Sequence, residues 1–383
     1  MNIILSGIET KNKGAELMLY AILQEIERKF PKATVYIPRG RIFYKNGLEG
    51  IRTKVNITYL PCYKMEKTLR LGKIYRVLHI PYTLMPHTLM MNKVNYFLDA
   101  SGFRFSDQFK MSSREAFSLK SQLSAYRGKG AKIIFLPQAF GPFEKETTKE
   151  VLSVLSSEST LIMPRESVSL KYIAESGVVD MKKVRKFTDF TSLVEGVFPS
   201  QYEYLRDGIC IIPNKQMINK GAISMDNYLS LLKAIIDMAK KSGRVVYLLN
   251  HEGKNDELLC EDMKKELYND IEYVSGLNAL EVKGMIASAY LVITSRFHGL
   301  ASSLNSGVPS LATSWSHKYE ELFKDYGLDA SYVLPLSDID IAQTKVNELL
   351  ESHENKRVHS IIESKVPEVK TQTCDMWNLV WNS

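Results

Sequence analysis

Apolar positions fall in short uninterrupted runs that alternate with amphipathic stretches. The run "NIILSG" (2–7) has no polar gap, which predicts a strand buried on both faces. It leads into "GAELMLYAILQEIERKF" (14–30), where Leu17, Tyr20, Ala21 and Leu23 fall near helical spacing, and "ATVYIP" (33–38) then predicts a second strand. "VNYFLDASG" (94–102), "AKIIFLPQAFG" (131–141) and "STLIMPRE" (159–166) are further short strands, each followed by helical material. A second series starts after residue 205, with strands in "GICIIPN", "RVVYLLNHEG", "IEYVSG", "YLVITSRFHG" and "SGVPSLATSW". Helices in "SMDNYLSLLKAIIDMAKKSG", "NDELLCEDMKKELYN" and "ALEVKGMIASA" separate them.

Strand and helix in repeated alternation predict α/β architecture with parallel sheets, whose functional groups gather at the carboxyl ends of the strands. The pattern lapses at "LVEGVFPSQYEYLR" (193–206), so two α/β domains in tandem are expected, 1–197 and 198–350, with a cleft between them as the natural site. Residues 339–383 predict one helix and a tail carrying Trp377 and Trp381; 351–383 is expected to cross back to the first domain, the tryptophans packing rather than binding sugar.

The chain has 383 residues, enough for two cores, and its 45% hydrophobic and 24% charged content is that of ordinary globular protein. Cys62, Cys210, Cys260 and Cys374 are scattered, without Cys-x-x-Cys pairs or Cys/His clusters, which predicts a reduced compartment and no metal site. "MNIILSG" lacks the basic start and long apolar run of a signal peptide, and no apolar stretch reaches the length of a membrane span. A cytoplasmic protein is expected. The net charge of +7 is modest, and no nucleic-acid partner is expected. Segment 64–93 concentrates Lys and Arg among Leu, Ile, Tyr and Met, which suits the surface of an anionic membrane; the alternative is a basic amphipathic helix and a Pro-broken loop packed on their own domain.

The densest chemistry lies in "VITSRFHGLASSLNSGVPSLATSWSHK" (292–318). Ser295 to His298 stand where a buried strand ends and a helix, about 299–306, begins. A helix start already favours an anion, and Arg296 with His298 two residues on makes the place a candidate for phosphate or carboxylate. His317 and Lys318 are expected at the same sheet edge. No Gly-x-Gly-x-x-Gly follows the first strand, where "SGIETKNKGAE" stands, so a nicotinamide-dependent enzyme is excluded.

In order along the chain stand "NKGAE" (12–16), "DASG" (99–102), "LPQAFGPF" (136–143), "PRES" (164–167), "TDF" (188–190), "NHEGKND" (250–256), "SRFHGLASSLNSGVP" (295–309) and "HK" (317–318). Together they resemble the polysaccharide pyruvyl transferases, over roughly residues 1–325. The resemblance implies two Rossmann-like domains facing a cleft, as in GT-B glycosyltransferases. It also implies transfer of the enolpyruvyl moiety of phosphoenolpyruvate to a sugar, leaving a pyruvate ketal on a surface polysaccharide, exopolysaccharide or capsular. Neither cofactor nor metal is required. The acceptor is expected to be a galactose-type or N-acetylhexosamine residue of a lipid-linked glycan, met at the inner face of the cytoplasmic membrane with peripheral membrane contact.

Phosphoenolpyruvate concentrates about three negative charges on a small molecule, so its site needs more than one cation. The resemblance implies that Arg296, Phe297, His298 and Arg165 contact it, and Lys318 is a further candidate. His298, His251 and Lys318 are the candidate acid and base groups, their roles left open. Asn12, Asp99 and Gln138 are the candidates for the acceptor; as structural alternatives, Asn12 and Gly14 make a tight turn, Asp99 caps a helix, and Gln138 and Gly141 turn the chain. Glu16 complements a helix dipole, Asp189 caps or orients a loop, and Asp256 caps a helix. Alanine at Arg296, Arg165 or His298 is expected to abolish activity and leave the fold intact. Two rivals are a nucleotide-sugar-dependent GT-B glycosyltransferase and a non-catalytic anion- or glycan-binding protein.

Overall fold

The computed structural model describes residues 1–38, 47–78, 80, 82–109, 111–268, 270–314 and 318–383. It divides into two compact units. One comprises Met1–Glu9, Met18–Phe190 and Thr373–Ser383, the other Thr10–Leu17 and Thr191–Gln372.

In the first unit the chain runs through β1 (Asn2–Ser6), α1 (Lys13–Lys29, its part from Met18), β2 (Thr34–Ile37), β3 (Asn56–Tyr59), α2 (Tyr63–Thr68), α3 (Leu71–Val77) and α4 (Pro86–Met90). It continues through β4 (Tyr96–Asp99), β5 (Phe103–Phe105), α5 (Ser113–Gly128), β6 (Lys132–Phe140), α6 (Glu146–Glu158), β7 (Leu161–Pro164) and α7 (Ser167–Glu175). The strands form one parallel sheet, ordered β3-β2-β1-β4-β6-β5, with β7 also on β6. β4 and β7 are buried along their whole length, in keeping with sequences that are apolar but for Asp99 at the end of β4. β3 and β5 carried no comparable signal, because "NITY" is a half-exposed edge and "FRF" has three residues. The strand order reverses between β1 and β4, where Ser6 lies opposite Asp99. Gly7 follows at φ 78°, and any Cβ there would strike the backbone of Ser101, so only glycine lets the two loops approach.

The second unit holds β8 (Ile209–Ile212), α8 (Gln216–Asn219), α9 (Met225–Lys240), β9 (Val246–Leu249), α10 (Gly253–Glu266), β10 (Glu272–Val274) and α11 (Ala279–Ala287). After them come β11 (Leu291–Thr294), α12 (Phe297–Asn305), β12 (Ser310–Thr313), α13 (Lys318–Asp325), β13 (Val333–Leu334), α14 (Ile339–Leu350) and α15 (Ser352–Asn382, its part up to Gln372). Its six strands are parallel in the order β10-β9-β8-β11-β12-β13. Renumbered within the unit this is 3-2-1-4-5-6, the order of dinucleotide-binding sheets, with its reversal between β8 and β11. Tyr228, Leu232, Ile235 and Ile236 of α9 and Leu300 and Leu304 of α12 fill the core on this sheet.

Several boundaries differ from the sequence expectation. The second unit begins at Thr191 rather than 198, because this stretch packs on α11: Lys283 Nζ donates to the Thr191 carbonyl (3.0 Å) and Val197 N to that of Leu280 (2.9 Å). Thr10–Leu17 also join the second unit, since Glu16 accepts from the Ala279 amide (3.2 Å) and Asn12 Nδ2 donates to Glu252 (3.0 Å). The single helix expected from 339 is two, α14 and α15, because Glu351 between them takes extended angles (φ −66°, ψ 122°). α15 does not stand apart: Val358, Ile362 and Val369 enter the second unit's core. Beyond Gln372, Trp377 and Trp381 are buried in the first unit, stacked 5.5 Å apart, and Trp381 Nε1 donates to Glu25 (2.8 Å). Among the described residues no helix is long and apolar enough to cross a membrane.

Candidate functional site

In the second unit, chemistry concentrates where the strand order reverses. Beyond β8, Asn214 donates through Nδ2 to the Ser295 carbonyl (2.8 Å), and its own amide donates to the Tyr228 hydroxyl (3.1 Å). Beyond β11, that same carbonyl accepts from Tyr319 (2.9 Å), while the Ser295 hydroxyl meets those of Tyr228 (2.7 Å) and Thr313. These groups are buried, and burial pushes the Tyr228 phenol up to about 12, so it remains a neutral donor. The Ser295 carbonyl is thereby held by two donors and its hydroxyl by two further partners, which fixes the residue that precedes Arg296.

Arg296 is the N-cap of α12, with extended backbone and its amide donating to Thr294 Oγ1 (3.0 Å). The helix starts at Phe297, two residues before the expected 299, so His298 lies within its first turn. The Arg296 guanidinium is gripped by two carboxylates at the start of α10: Nε and Nη2 reach Asp256 Oδ2 (2.8 and 2.5 Å), and Nη1 pairs with Glu252. Each guanidinium nitrogen thus spends one donor, which leaves two of its five N–H groups. Glu252 in turn accepts from Asn12 Nδ2, and Asp256 Oδ1 accepts from the Lys215 amide (3.0 Å). Burial pushes the Asp256 carboxyl up to about 7 and Arg296 down to about 10. Asp256 is therefore a buried ion-pair partner inside the first turn of α10, rather than the cap expected from sequence; the cap position belongs to Glu252.

Asn12 caps α1 through Oδ1, which accepts from the amides of Gly14 and Ala15 (2.9 and 3.2 Å). The His298 ring packs so closely on Gly14 that a Cβ there would overlap Nδ1 and Cγ. His251, at the end of β9, is buried, and its Nδ1 has no hydrogen-bond partner among the described residues. Desolvation first, then the neighbouring Arg296, His298 and Lys13, hold its ring well below the usual histidine value, so it is neutral at pH 7. Lys318 opens α13, with Nζ 5.6 Å from the Phe297 ring and 5.8 Å from that of Tyr319. Phe297 is buried, edge-on to His298 (5.4 Å) and Tyr319 (5.9 Å). His317 lies outside the described residues. Glu16, far from merely complementing a dipole, is fully buried and paired with Lys13 (2.7 Å).

The first unit has its own polar group at the carboxyl edge of its sheet. Asp99 Oδ1 accepts from the Ser101 amide (3.2 Å) and from Gln138 Nε2 (3.3 Å). Gln138 is inside β6 rather than at a turn, and its Oε1 and the Ser101 hydroxyl are buried without a partner among the described residues. Arg165 follows β7, donates its amide to the Gln138 carbonyl (3.0 Å), and pairs with Asp189 (3.4 Å).

Of the residues singled out from sequence, Arg296, Phe297, His298, His251, Lys318 and Asn12 therefore fall in the second unit; Asp99, Gln138 and Arg165 fall in the first. Asn12, one of the three acceptor candidates, joins the Arg296 network through Glu252. Glu252, Tyr228 and Tyr319 escaped notice. For Glu252 the signal was present, because four residues separate it from Asp256 and both carboxylates then share a helix face; for the tyrosines none exists short of the fold. Among the described residues, no three His, Cys, Asp or Glu side chains gather to hold a metal ion.

The family model for polysaccharide pyruvyl transferase matches residues 12–317. Amylovoran biosynthesis protein AmsJ of Erwinia amylovora is 22% identical over 395 residues, covering 92% of this chain and 93% of that protein. Among solved structures, HepE of Anabaena with UDP and glucose superposes with TM-score 0.61 at 10% identity, over 100% of this chain and 98% of that one. UDP-GlcNAc 2-epimerase of Neisseria meningitidis bound to UDP-GlcNAc gives 0.60 at 9% identity over 100% of both. At such identities these two show the fold alone, a pair of parallel-sheet α/β domains of GT-B type. With the family model spanning both of its sheets, the chain belongs to the polysaccharide pyruvyl transferases.

Proposed function

We propose that this enzyme takes the enolpyruvyl group of phosphoenolpyruvate, transfers it to a sugar of a lipid-linked polysaccharide precursor, and closes a pyruvate ketal with release of phosphate. The observation that carries this reading is the oriented Arg296 fork at the start of α12, with neutral His251 near it and Lys318 beyond Phe297. Two remaining guanidinium donors, the first amides of α12 and the Lys318 ammonium supply the charge-assisted contacts that a carboxylate and a phosphate need, each contributing about 1.5–3 kcal/mol.

The chemistry has four steps. A proton adds to the methylene carbon of the donor, which makes C2 electrophilic. A sugar hydroxyl then forms a C–O bond to C2 and gives up its proton to a base. The C2–O bond to phosphate breaks, and phosphate leaves with the bonding pair. A second hydroxyl of the same sugar attacks C2 and loses its proton, closing the ketal. His298, half-buried against Gly14, is assigned the proton transfers; His251, held neutral, accepts a hydrogen bond or a proton and carries no standing charge. In the first unit, the orphaned Gln138 Oε1 and Ser101 hydroxyl beside Asp99 are assigned to sugar hydroxyls, which would satisfy them.

The test is calorimetric titration with phosphoenolpyruvate, with UDP and GDP as controls, on the native chain and on Arg296→Lys. Lysine retains a charge for Asp256 but loses the fork; the alanine variants at Arg296 and Arg165, expected from sequence to leave the fold intact, instead remove the cation paired with buried Asp256 or Asp189. Binding of phosphoenolpyruvate alone, weakened at least about tenfold in the variant, is expected. Preference for a nucleoside diphosphate would overturn the proposal in favour of a nucleotide-sugar enzyme. Arg165→Lys separates two roles for that residue: loss of donor binding places it on phosphoenolpyruvate, whereas loss of turnover alone places it on the sugar.

A further inference from the structure

Eight of the eighteen large apolar side chains that stand exposed among the described residues lie between Met65 and Met90 in the first unit. Leu69, Ile74, Val77, Leu78, Leu89 and Met90 lead them, Leu78 at 63% and Met90 at 62% exposure. They come from one packed cluster of short helices. α2 packs on α3 and on α4, and the 3-10 turn Tyr82–Leu84 packs on α4 and α5. Buried Glu66 of α2 fastens α4 by accepting from the His87 amide (2.7 Å) and pairing with His87 Nδ1 (2.7 Å), and Cys62 Sγ meets Met90 Sδ (3.0 Å). The apolar groups therefore ride on a fixed scaffold.

Charge gives this surface its partner. Segment 64–93 contains six Lys and Arg residues, Lys64, Lys67, Arg70, Lys73, Arg76 and Lys93, against one acid, Glu66. That acid is only 3% exposed, turned inward onto His87, whereas Lys64, Arg70 and Lys73 are exposed and enter no ion pair among the described residues. What the cluster presents is leucine, isoleucine, valine and methionine amid uncompensated positive charge. A second copy of this chain would set the same basic groups against themselves. An anionic bilayer satisfies both features, because its headgroups attract the cations and its acyl boundary takes up the apolar side chains. Among the described residues no helix is long and apolar enough to cross a membrane, so the contact lies in the plane of the headgroups.

We propose that α2, α3 and α4 form a docking face for an anionic lipid bilayer. The face is independent of which donor the enzyme uses. Flotation of the full chain with vesicles tests it, comparing phosphatidylcholine alone with a phosphatidylcholine and phosphatidylglycerol mixture, at low and high salt. Binding to the mixed vesicles only, weakened by salt, is expected. Lys64→Gln/Arg70→Gln/Lys73→Gln changes only exposed side chains and should reduce binding about a hundredfold. Leu78→Ser/Met90→Ser should weaken it further, with phosphoenolpyruvate binding unchanged in both variants. Equal binding to neutral and charged vesicles, no binding to either, or reversible self-association abolished by the serine pair would each overturn the proposal. Loss of donor binding in the native chain would sink the catalytic reading and leave the docking face standing.

Discussion

Gly14→Ala offers a sharp test of where His298 sits. Gly14 occupies the first turn of α1 at ordinary helical angles, so alanine by itself should favour the helix by about 1 kcal/mol. Against that, the new Cβ would meet the His298 ring at Nδ1 and Cγ, and the ring also packs edge-on with Phe297. Overpacking of this kind costs about 1–3 kcal/mol, so the single variant should be destabilised by up to about 2 kcal/mol. In a His298→Ala background the obstruction is gone, and the same alanine should stabilise by up to about 1 kcal/mol. The double-mutant cycle should therefore show a coupling of about 1–3 kcal/mol, read from urea midpoints at constant m. Gly14→Ala should also lose turnover while retaining every candidate catalytic side chain, since the ring must move. A coupling within about 0.5 kcal/mol, the limit of ordinary additivity, would show that the two residues do not touch and would remove the packing argument for the His298 position.

Three further outcomes follow from the same geometry. Asp256→Ala removes one of two acids from a buried arginine and should cost about 3 kcal/mol, the low end for a broken buried pair because Glu252 remains; urea denaturation checks it. His251 stays neutral in the folded chain while its unfolded counterpart protonates below its ordinary value of 6.5, so the stability it contributes is complete above that pH and is lost below it, by about 1.4 kcal/mol per unit; His87, also lowered chiefly by burial, acts in the same direction. His251→Asn should therefore reduce the loss of stability between about pH 6.5 and 5, and an unchanged acid limb would refute a buried neutral ring. Trp381→Phe keeps the stack on Trp377 but loses the donor to Glu25, which Arg28 still holds, and should cost about 1.5–2 kcal/mol in thermal unfolding.

How much of this was legible in the chain depended on the range of the interactions. "GICIIPN", "RVVYLLNHEG" and "YLVITSRFHG" announced β8, β9 and β11 because a strand covered on both faces must be apolar throughout. The two-residue β13 and the three-residue β5 could not, since pairing with a longer neighbour makes them strands. The same limit governed the site. Arg296 and His298 stood out because a helix start after a buried strand is a local pattern, whereas Tyr228 and Tyr319 act on Ser295 from 67 and 24 residues away. Thr10–Leu17 belong to the second unit through Asn12 and Glu16, whose partners Glu252 and Ala279 lie 240 and 263 residues on. No window along the sequence carries such a pairing.

The grip of Glu252 and Asp256 on Arg296 bears on what the site can do. A lone arginine at a helix start attracts any anion and can swing among rotamers to meet it. Here the fork is fixed by one donor on each nitrogen, its charge is balanced by two carboxylates, and the ligand gains two directed N–H groups in place of a bare cation. Such an arrangement trades Coulombic attraction for direction, and transfer chemistry needs direction, because a donor carbon must be presented to a hydroxyl at one angle. It also makes the carboxylates positioning residues. Glu252→Gln keeps a hydrogen-bonding oxygen but removes one negative charge beside Arg296, so an anionic donor should bind more tightly while turnover falls. Parallel loss of binding and turnover would mean that Glu252 serves the fold alone.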